Sequence, residues 1–222
     1  MKNLFRTLGF GLVSASIPFF LIMTAIRMLV TPLYPQVEYR MPWFPPDSYG
    51  FSLQDRLKWS AISIEYLRNS ADISFLADQR LDDGSPLYNE RELSHMEDVK
   101  ALLIKMNEGW LMTSLVYFIL VVLAWRKAWL RSLLMSFGRG GVWTIGLIAV
   151  ILGAVAVSFN GLFTAFHRLF FQGNTWLFLY SDTLIRLFPI PFWRDAFILV
   201  GVFTILGALF LILLGNRARP RS

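Results

Sequence analysis

The chain contains no cysteine. That excludes a disulfide framework, a thiolate-bound metal and a cysteine nucleophile. Histidine is almost absent too: only His95 and His167 occur. There is no Walker loop, no G-x-G-x-x-G after a strand, no H-E-x-x-H and no G-x-S-x-G. Nucleotide cradles, zinc-protease helices and serine elbows therefore lack their signatures. Internal repeats and low-complexity tracts are likewise missing. Acidic residues avoid whole regions: each lies between Glu38 and Glu108 or is Asp182 or Asp195.

What is present is apolar. Of 222 residues, 55% are hydrophobic and the mean hydropathy is +0.52, too high for an ordinary soluble domain. Four stretches approach the roughly 20 residues needed to cross a bilayer. They are residues 8–30, 110–125, 142–163 and 196–214. Lys2 and Arg6 give the first a signal-peptide look, but the run is longer than a signal core and has no clear small-x-small cleavage site, so a retained anchor is expected. Many of the 20 Phe and 8 Trp lie beside these spans, where interfacial aromatics belong.

Charge sets the expected orientation. Lys2 and Arg6 precede the first span. Arg126, Lys127, Arg131 and Arg139 link the second to the third. Arg217, Arg219 and Arg221 follow the fourth. By the positive-inside rule both termini are cytoplasmic, and segments 31–108 and 164–195 lie outside. The net charge of +6 thus reports topology. Nucleic-acid binding is not expected, because the basic residues sit in short cytoplasmic segments. The expected fold is an all-α membrane protein: one domain, 1–222, a four-helix transmembrane bundle with a mostly helical extracytoplasmic cap.

In the first outer segment, Pro42-Trp43-Phe44-Pro45-Pro46 reads as a proline-stiffened stretch at the interface. Ser52 with Asp55 reads as a helix start, and Leu57, Ala61, Ile64 and Leu67 keep helical spacing. Asp83-Gly84 is a turn signal, and residues 73–81 before it read as a strand of a small β-hairpin. Asn89 with Glu92 is a capping-box pattern. A helix from Glu90 is expected to run unbroken into the second span. On it Arg91, Glu92, His95 and Asp98 share a face. That face is either a solvated charged stripe or a histidine oriented by a carboxylate, as a general base often is.

On the third span Gly146, Ala149, Gly153 and Ala156 form a small-residue stripe of the kind that packs closely. Asn160, Thr164 and His167 continue it, and polar groups on a packed membrane face are functional candidates. Residues 173–176 read as a loop. Residues 181–189 read as a short interfacial helix stopped by Pro189, with Asp182 and Arg186 spaced to pair. Arg27 is placed either to snorkel to headgroups or to face inward as an oxyanion donor. The two histidines with Glu92 or Asp98 do not make a zinc spacing, so no metal or other cofactor is expected.

Arg91-Glu92-x-x-His95-Met96-x-Asp98-Val99-Lys100 and Phe166-His167-x-x-Phe170-Phe171 carry a family likeness. So do Trp176-x-Phe178, Asp182-Thr183-Leu184-Ile185-x-Leu187-Phe188-Pro189 and Phe192-Trp193. With four spans and a long first outer loop, the chain resembles the bacterial integral membrane family that includes lipoprotein intramolecular transacylase, Lit. The Pro-rich stretch 34–47 and residues 52–69 fall outside the likeness.

The resemblance implies an acyltransferase of the bacterial cytoplasmic membrane with its active site outside. Such an enzyme moves the sn-2 acyl chain of a diacylglyceryl-cysteine lipoprotein onto that cysteine's α-amine. On this reading His167 is the base and His95 its partner. Glu92 or Asp98 orients His95, and Arg91, Arg168 or Asn160 stabilises the oxyanion. Thr164, Asp182 and Arg27 complete the substrate-binding candidates. The partners implied are a diacylated lipoprotein, or another membrane lipid, and the bilayer; oligomeric state is left open. Two other readings stand beside it. One is a lipid esterase, or an acyltransferase with a different acceptor. The other is a non-catalytic membrane assembly factor.

Overall fold

The computed structural model describes residues 2–219. Arg221, one of the orienting charges, lies outside the described residues. Among the described residues eight helices run in chain order: α1 Lys2–Leu29, α2 Leu33–Glu38, α3 Leu53–Arg68, α4 Ser74–Ala77, α5 Glu90–Arg126, α6 Leu130–Phe170, α7 Thr183–Leu187 and α8 Ile190–Arg217. The described residues contain no strand. Four helical stretches among them are long and apolar enough to cross a membrane: Leu8–Leu29, Glu90–Arg126, Leu130–Phe170 and Ile190–Arg217. The protein is an all-helical, multi-pass membrane protein.

The chain forms two compact units. One comprises Met1–Arg27, Met106–Ala156 and Phe197–Ser222; the other comprises Met28–Lys105 and Val157–Ala196. In the first unit the helices meet at glycine. A Cβ placed on Gly140 would lie 2.6 Å from the Ile17 side chain and 2.7 Å from the Ser14 carbonyl. One on Gly141 would lie 2.7 Å from the Ala208 carbonyl, and Cβ atoms on Gly138 and Gly215 would lie 3.1 and 3.0 Å from each other's Cα. The Ser14 hydroxyl donates to the Ser136 carbonyl at 2.9 Å, a polar contact that the missing side chains permit. Ile17, Tyr117, Ala124, Leu133 and Phe137 form the buried cluster there.

The sequence pattern chose different glycines. Gly146, Ala149, Gly153 and Ala156 are all exposed, and open space surrounds Gly146 and Gly153. The stripe does not pack within the chain. Nor does it continue into Asn160, Thr164 and His167, because Ser158 leaves helical geometry (φ −161°, ψ 95°). The Ser158 hydroxyl then accepts from the Gly161 amide at 3.1 Å, so a fresh N-cap begins inside α6. Helical phase is lost at that point, and i, i+4 counting across it misleads.

The second unit is built from short elements. α3 starts at a reciprocal capping box: the Asp55 amide donates to Ser52 Oγ and the Ser52 amide to the Asp55 carboxylate. Its buried face holds Arg56, Trp59, Ser60, Ser63, Ile64 and Tyr66. Of the expected stripe only Ile64 is buried; Leu57, Ala61 and Leu67 are partly exposed. Trp59, Tyr66, Leu76, Leu87, Tyr88, Met96, Leu184 and Leu187 form one core.

The expected strand at 73–81 is a helical turn, α4, followed by a tight turn. Gly84 takes φ +82°, Asp83 caps Ser85 at 2.9 Å, and only an isolated bridge joins Arg80 to Pro86. Burying Leu76 completely needs just one side chain, and a single helical turn supplies it.

The Pro-rich stretch is clamped in place. Arg186 pairs with Asp47 at 3.1 Å rather than with Asp182, and its guanidinium lies 3.4 Å over the Phe51 ring. Arg56, buried, donates to the Pro45 carbonyl at 2.8 Å. It also stacks on Tyr39 and Phe44. Tyr34 and Tyr39 donate to the carbonyls of Phe192 and Leu187, each at 2.7 Å.

Candidate functional site

The site grows from the N-terminus of α5. The Asn89 amide donates to Glu92 at 2.8 Å and the Glu92 amide to Asn89 Oδ1 at 3.0 Å, a reciprocal capping box that fixes the first turn. The other Glu92 oxygen accepts the Leu184 amide at 2.6 Å. Thr183 donates to the Leu87 carbonyl at 2.6 Å, and Asn89 to Asp182 at 3.3 Å. One buried carboxylate thus joins the starts of α5 and α7 and satisfies amides that would otherwise be orphaned. His95, one turn on, is held at 8% exposure.

His167 comes from the last turn of α6. Its Nδ1 lies 2.8 Å from the Phe163 carbonyl oxygen. A carbonyl only accepts, so Nδ1 carries the proton, and in the neutral ring Nε2 keeps its lone pair. The backbone therefore selects the tautomer a base needs. His167 is also 8% exposed.

The two imidazoles face each other, their ring centroids 6.0 Å apart and 24° from parallel. They come from positions 72 residues apart in the chain, brought together within one unit. A single bound group spans such a gap. Around them stands an aromatic cage. Phe171 and Phe178 meet His95 edge-on at 5.0 and 5.4 Å. Phe163, Phe171 and Trp176 surround His167 at 4.1, 5.5 and 5.0 Å. Among the described residues, His95 Nδ1 and the Trp176 indole nitrogen are buried without a hydrogen-bond partner. Two orphaned polar atoms in one place are unusual.

The other expected site residues are spread more widely. Glu92 is bound to two amides at helix starts, so its oxygens serve the backbone. Asp98, Arg168 and Asn160 are exposed, and Thr164 is half-buried. Arg91 is exposed and donates to the Leu177 carbonyl at 3.1 Å, tying down the loop beyond α6. Asp182 accepts the Leu179 amide at 2.8 Å and shapes the same loop. Arg27 belongs to the other unit. There it donates to Asn107 at 2.5 Å and lies 4.3 Å over the Trp110 ring. Among the described residues, no group of three or more metal-ligating side chains assembles.

Sequence reasoning passed over the cage. Phe163, His167 and Phe171 are spaced i−4, i and i+4, a readable single face. Trp176 and Phe178 alternate with Leu177 and Leu179, the period of an extended chain. The family motifs contain Phe171, Trp176 and Phe178, but their ring contacts with the histidines follow only from the fold.

The family model for lipoprotein intramolecular transacylase Lit matches residues 11–193. An uncharacterized protein of Aquifex aeolicus (strain VF5) is 27% identical over 199 residues, 89% of this chain and 88% of that one. The structure of the membrane integral lipoprotein intramolecular transacylase Lit from Bacillus cereus matches the fold with a TM-score of 0.80. The identity is 21%, over 98% of this chain and 97% of that one. A structure of the same protein with a histidine-to-alanine mutation matches with a TM-score of 0.71 at 22% identity, over 98% and 96% of the two chains.

Proposed function

Because this chain belongs to the lipoprotein intramolecular transacylase Lit family, we propose that it transfers the sn-2 acyl chain of a diacylglyceryl-cysteine lipoprotein to that cysteine's own α-amine. The observation that carries the reading is the facing pair His95 and His167 at 6.0 Å. Donor and acceptor belong to one molecule, so orientation supplies much of the rate. An α-amine titrates near pH ~8, and a weak base is enough to free its lone pair.

The amine nitrogen attacks the ester carbonyl carbon, and His167 Nε2 takes the amine proton. The tetrahedral intermediate collapses, the carbon–oxygen bond to glycerol breaks, and the proton taken by His167 passes to His95, which delivers it to the leaving oxygen. One proton enters at His167 and leaves through His95, so both imidazoles end neutral, as they began. No protein nucleophile is needed, in keeping with a chain that has no cysteine. The ring cage supports transfer over hydrolysis: with each imidazole only 8% exposed, bulk water is a poor competitor for the acyl group.

The asymmetry of basic residues supports a site facing outward from the bacterial cytoplasmic membrane, with both termini inside. The test is mass spectrometry of a lipoprotein N-terminal peptide after expression in a bacterium making diacylated lipoproteins. The lyso-form with an N-acyl group is expected from this chain, and neither His167→Ala nor His95→Ala should yield it. An undiminished yield from both variants would sink the mechanism, and release of free fatty acid instead would mark an esterase.

A further inference from the structure

Both imidazoles are shielded, yet a base must meet its substrate. What shields them on one side is a single strap, residues 172–181, between α6 and α7. It lays Trp176 on His167 at 5.0 Å and Phe178 on His95 at 5.4 Å. Leu177, Leu179 and Tyr180, the last in the turn that follows, are exposed, at 46%, 66% and 78%.

An aqueous loop gains nothing from such a face, since exposed leucines and tyrosine beside one another cost solvation. The strap instead continues the apolar exterior at the end of α6, where Leu169 is 76% and Phe170 39% exposed, on a helix long and apolar enough to cross a membrane. Its backbone is irregular, with Gly173 at φ +63°. It is tethered by two hydrogen bonds that involve side chains, Arg91 to the Leu177 carbonyl and the Leu179 amide to Asp182. Buried and unpartnered, the Trp176 indole N–H gives the closed position no polar anchor of its own.

We propose that the strap 172–181 lies in the bilayer interface with Leu177, Leu179 and Tyr180 among lipid acyl chains, and that it is the lateral door through which the diacyl substrate reaches the histidines. Trp176 and Phe178 are its inner leaf. The proposal rests on the transacylase reading for its substrate, but its geometry concerns only the strap and lipid.

The chain's lack of cysteine permits a clean test. A nitroxide is placed on Leu179→Cys, and for comparison on Asp82→Cys in the exposed turn, in phosphatidylethanolamine–phosphatidylglycerol vesicles. Collisions with oxygen should dominate at 179 and collisions with a water-soluble nickel chelate at 82. Equal chelate access at both positions overturns the proposal, whatever the enzyme does. Second, Leu177→Lys with Leu179→Lys should lower kcat/KM at least ~10-fold for a diacylglyceryl-cysteine lipopeptide in those vesicles. The rate on a short-chain, monomerically dissolved analogue should change far less. Full kcat/KM on the vesicle substrate refutes the door while leaving the histidine mechanism standing. Activity that survives His167→Ala refutes that mechanism, while the collision data still judge the strap.

Discussion

In one unit helices approach until backbone meets backbone; in the other, rings and buried hydrogen bonds make the joins. Gly140 and Gly141 have no room for a Cβ and Gly138 and Gly215 have little, while polar links such as Ser14 to the Ser136 carbonyl run from helix to helix. The unit that holds the histidines uses Glu92, Tyr34, Tyr39, Arg56 and Arg186 as clamps between short segments. The difference follows from what each must do. A lipid-facing bundle has no hydrophobic drive between helices, so van der Waals contact decides packing. A site that orients two imidazoles needs directional bonds, which fix rotation as well as distance.

Several changes press on that contrast. The largest expected effect lies at the site: His167→Ala should lower the transfer rate at least ~100-fold with the thermal midpoint nearly unchanged, measured by mass spectrometry and by melting in detergent. A parallel loss of stability would mean that the imidazole is a clamp like its neighbours. Next, Gly140→Val forces a side chain into the Ile17 contact and should destabilise by roughly 3 kcal/mol or more. Gly153→Ala, with open space around it, should stay within about 0.5 kcal/mol. Equal melting of these two variants would remove the glycine half of the contrast.

Glu92→Gln tests the other half. The amide side chain has one oxygen for two backbone donors and brings an unwanted N–H, so a cost of about 2 kcal/mol is expected. Activity should fall with it, because α5 and α7 then lose their shared anchor.

The smallest effect is a pH slope. Glu38 is buried at 3% exposure. Burial first, then its hydrogen bond and charge contact with Asp195, push its carboxyl from 4.5 up to about 7. The folded state holds this proton more tightly than the unfolded one. Its contribution is complete below pH 4.5 and lost as pH rises to about 7. Stability should therefore fall across that window by on the order of 2 kcal/mol, and Glu38→Gln should flatten the slope in a melting series. An unchanged slope in the variant assigns the proton elsewhere.

Local signals were readable where one segment suffices. Ser52 with Asp55 and Asn89 with Glu92 mark helix starts because a cap needs only residues three apart. Pro189 marks the end of α7 because it cannot donate to the turn before it. Signals failed where a distant partner decides. Asp182 and Arg186 have the spacing to pair, yet Asp47, 139 residues from Arg186, takes the guanidinium. The stripe through Gly146 and Gly153 has the composition of a contact face, yet Ser158 breaks the phase and the contact uses other glycines.

By itself the sequence determined a helical membrane chain with four spans, two helix caps, and two histidines in a chain without cysteine. Those properties come from hydropathy, composition and short-range hydrogen bonding, each carried within a few turns of helix. Only the tertiary structure decided that His95 and His167 face each other. It also fixed the tautomer of His167 by the Phe163 carbonyl, and it brought Trp176 and Phe178 over both rings. Facing, tautomer and shielding depend on where separate segments meet, and residues so far apart in the chain meet only when the whole unit folds.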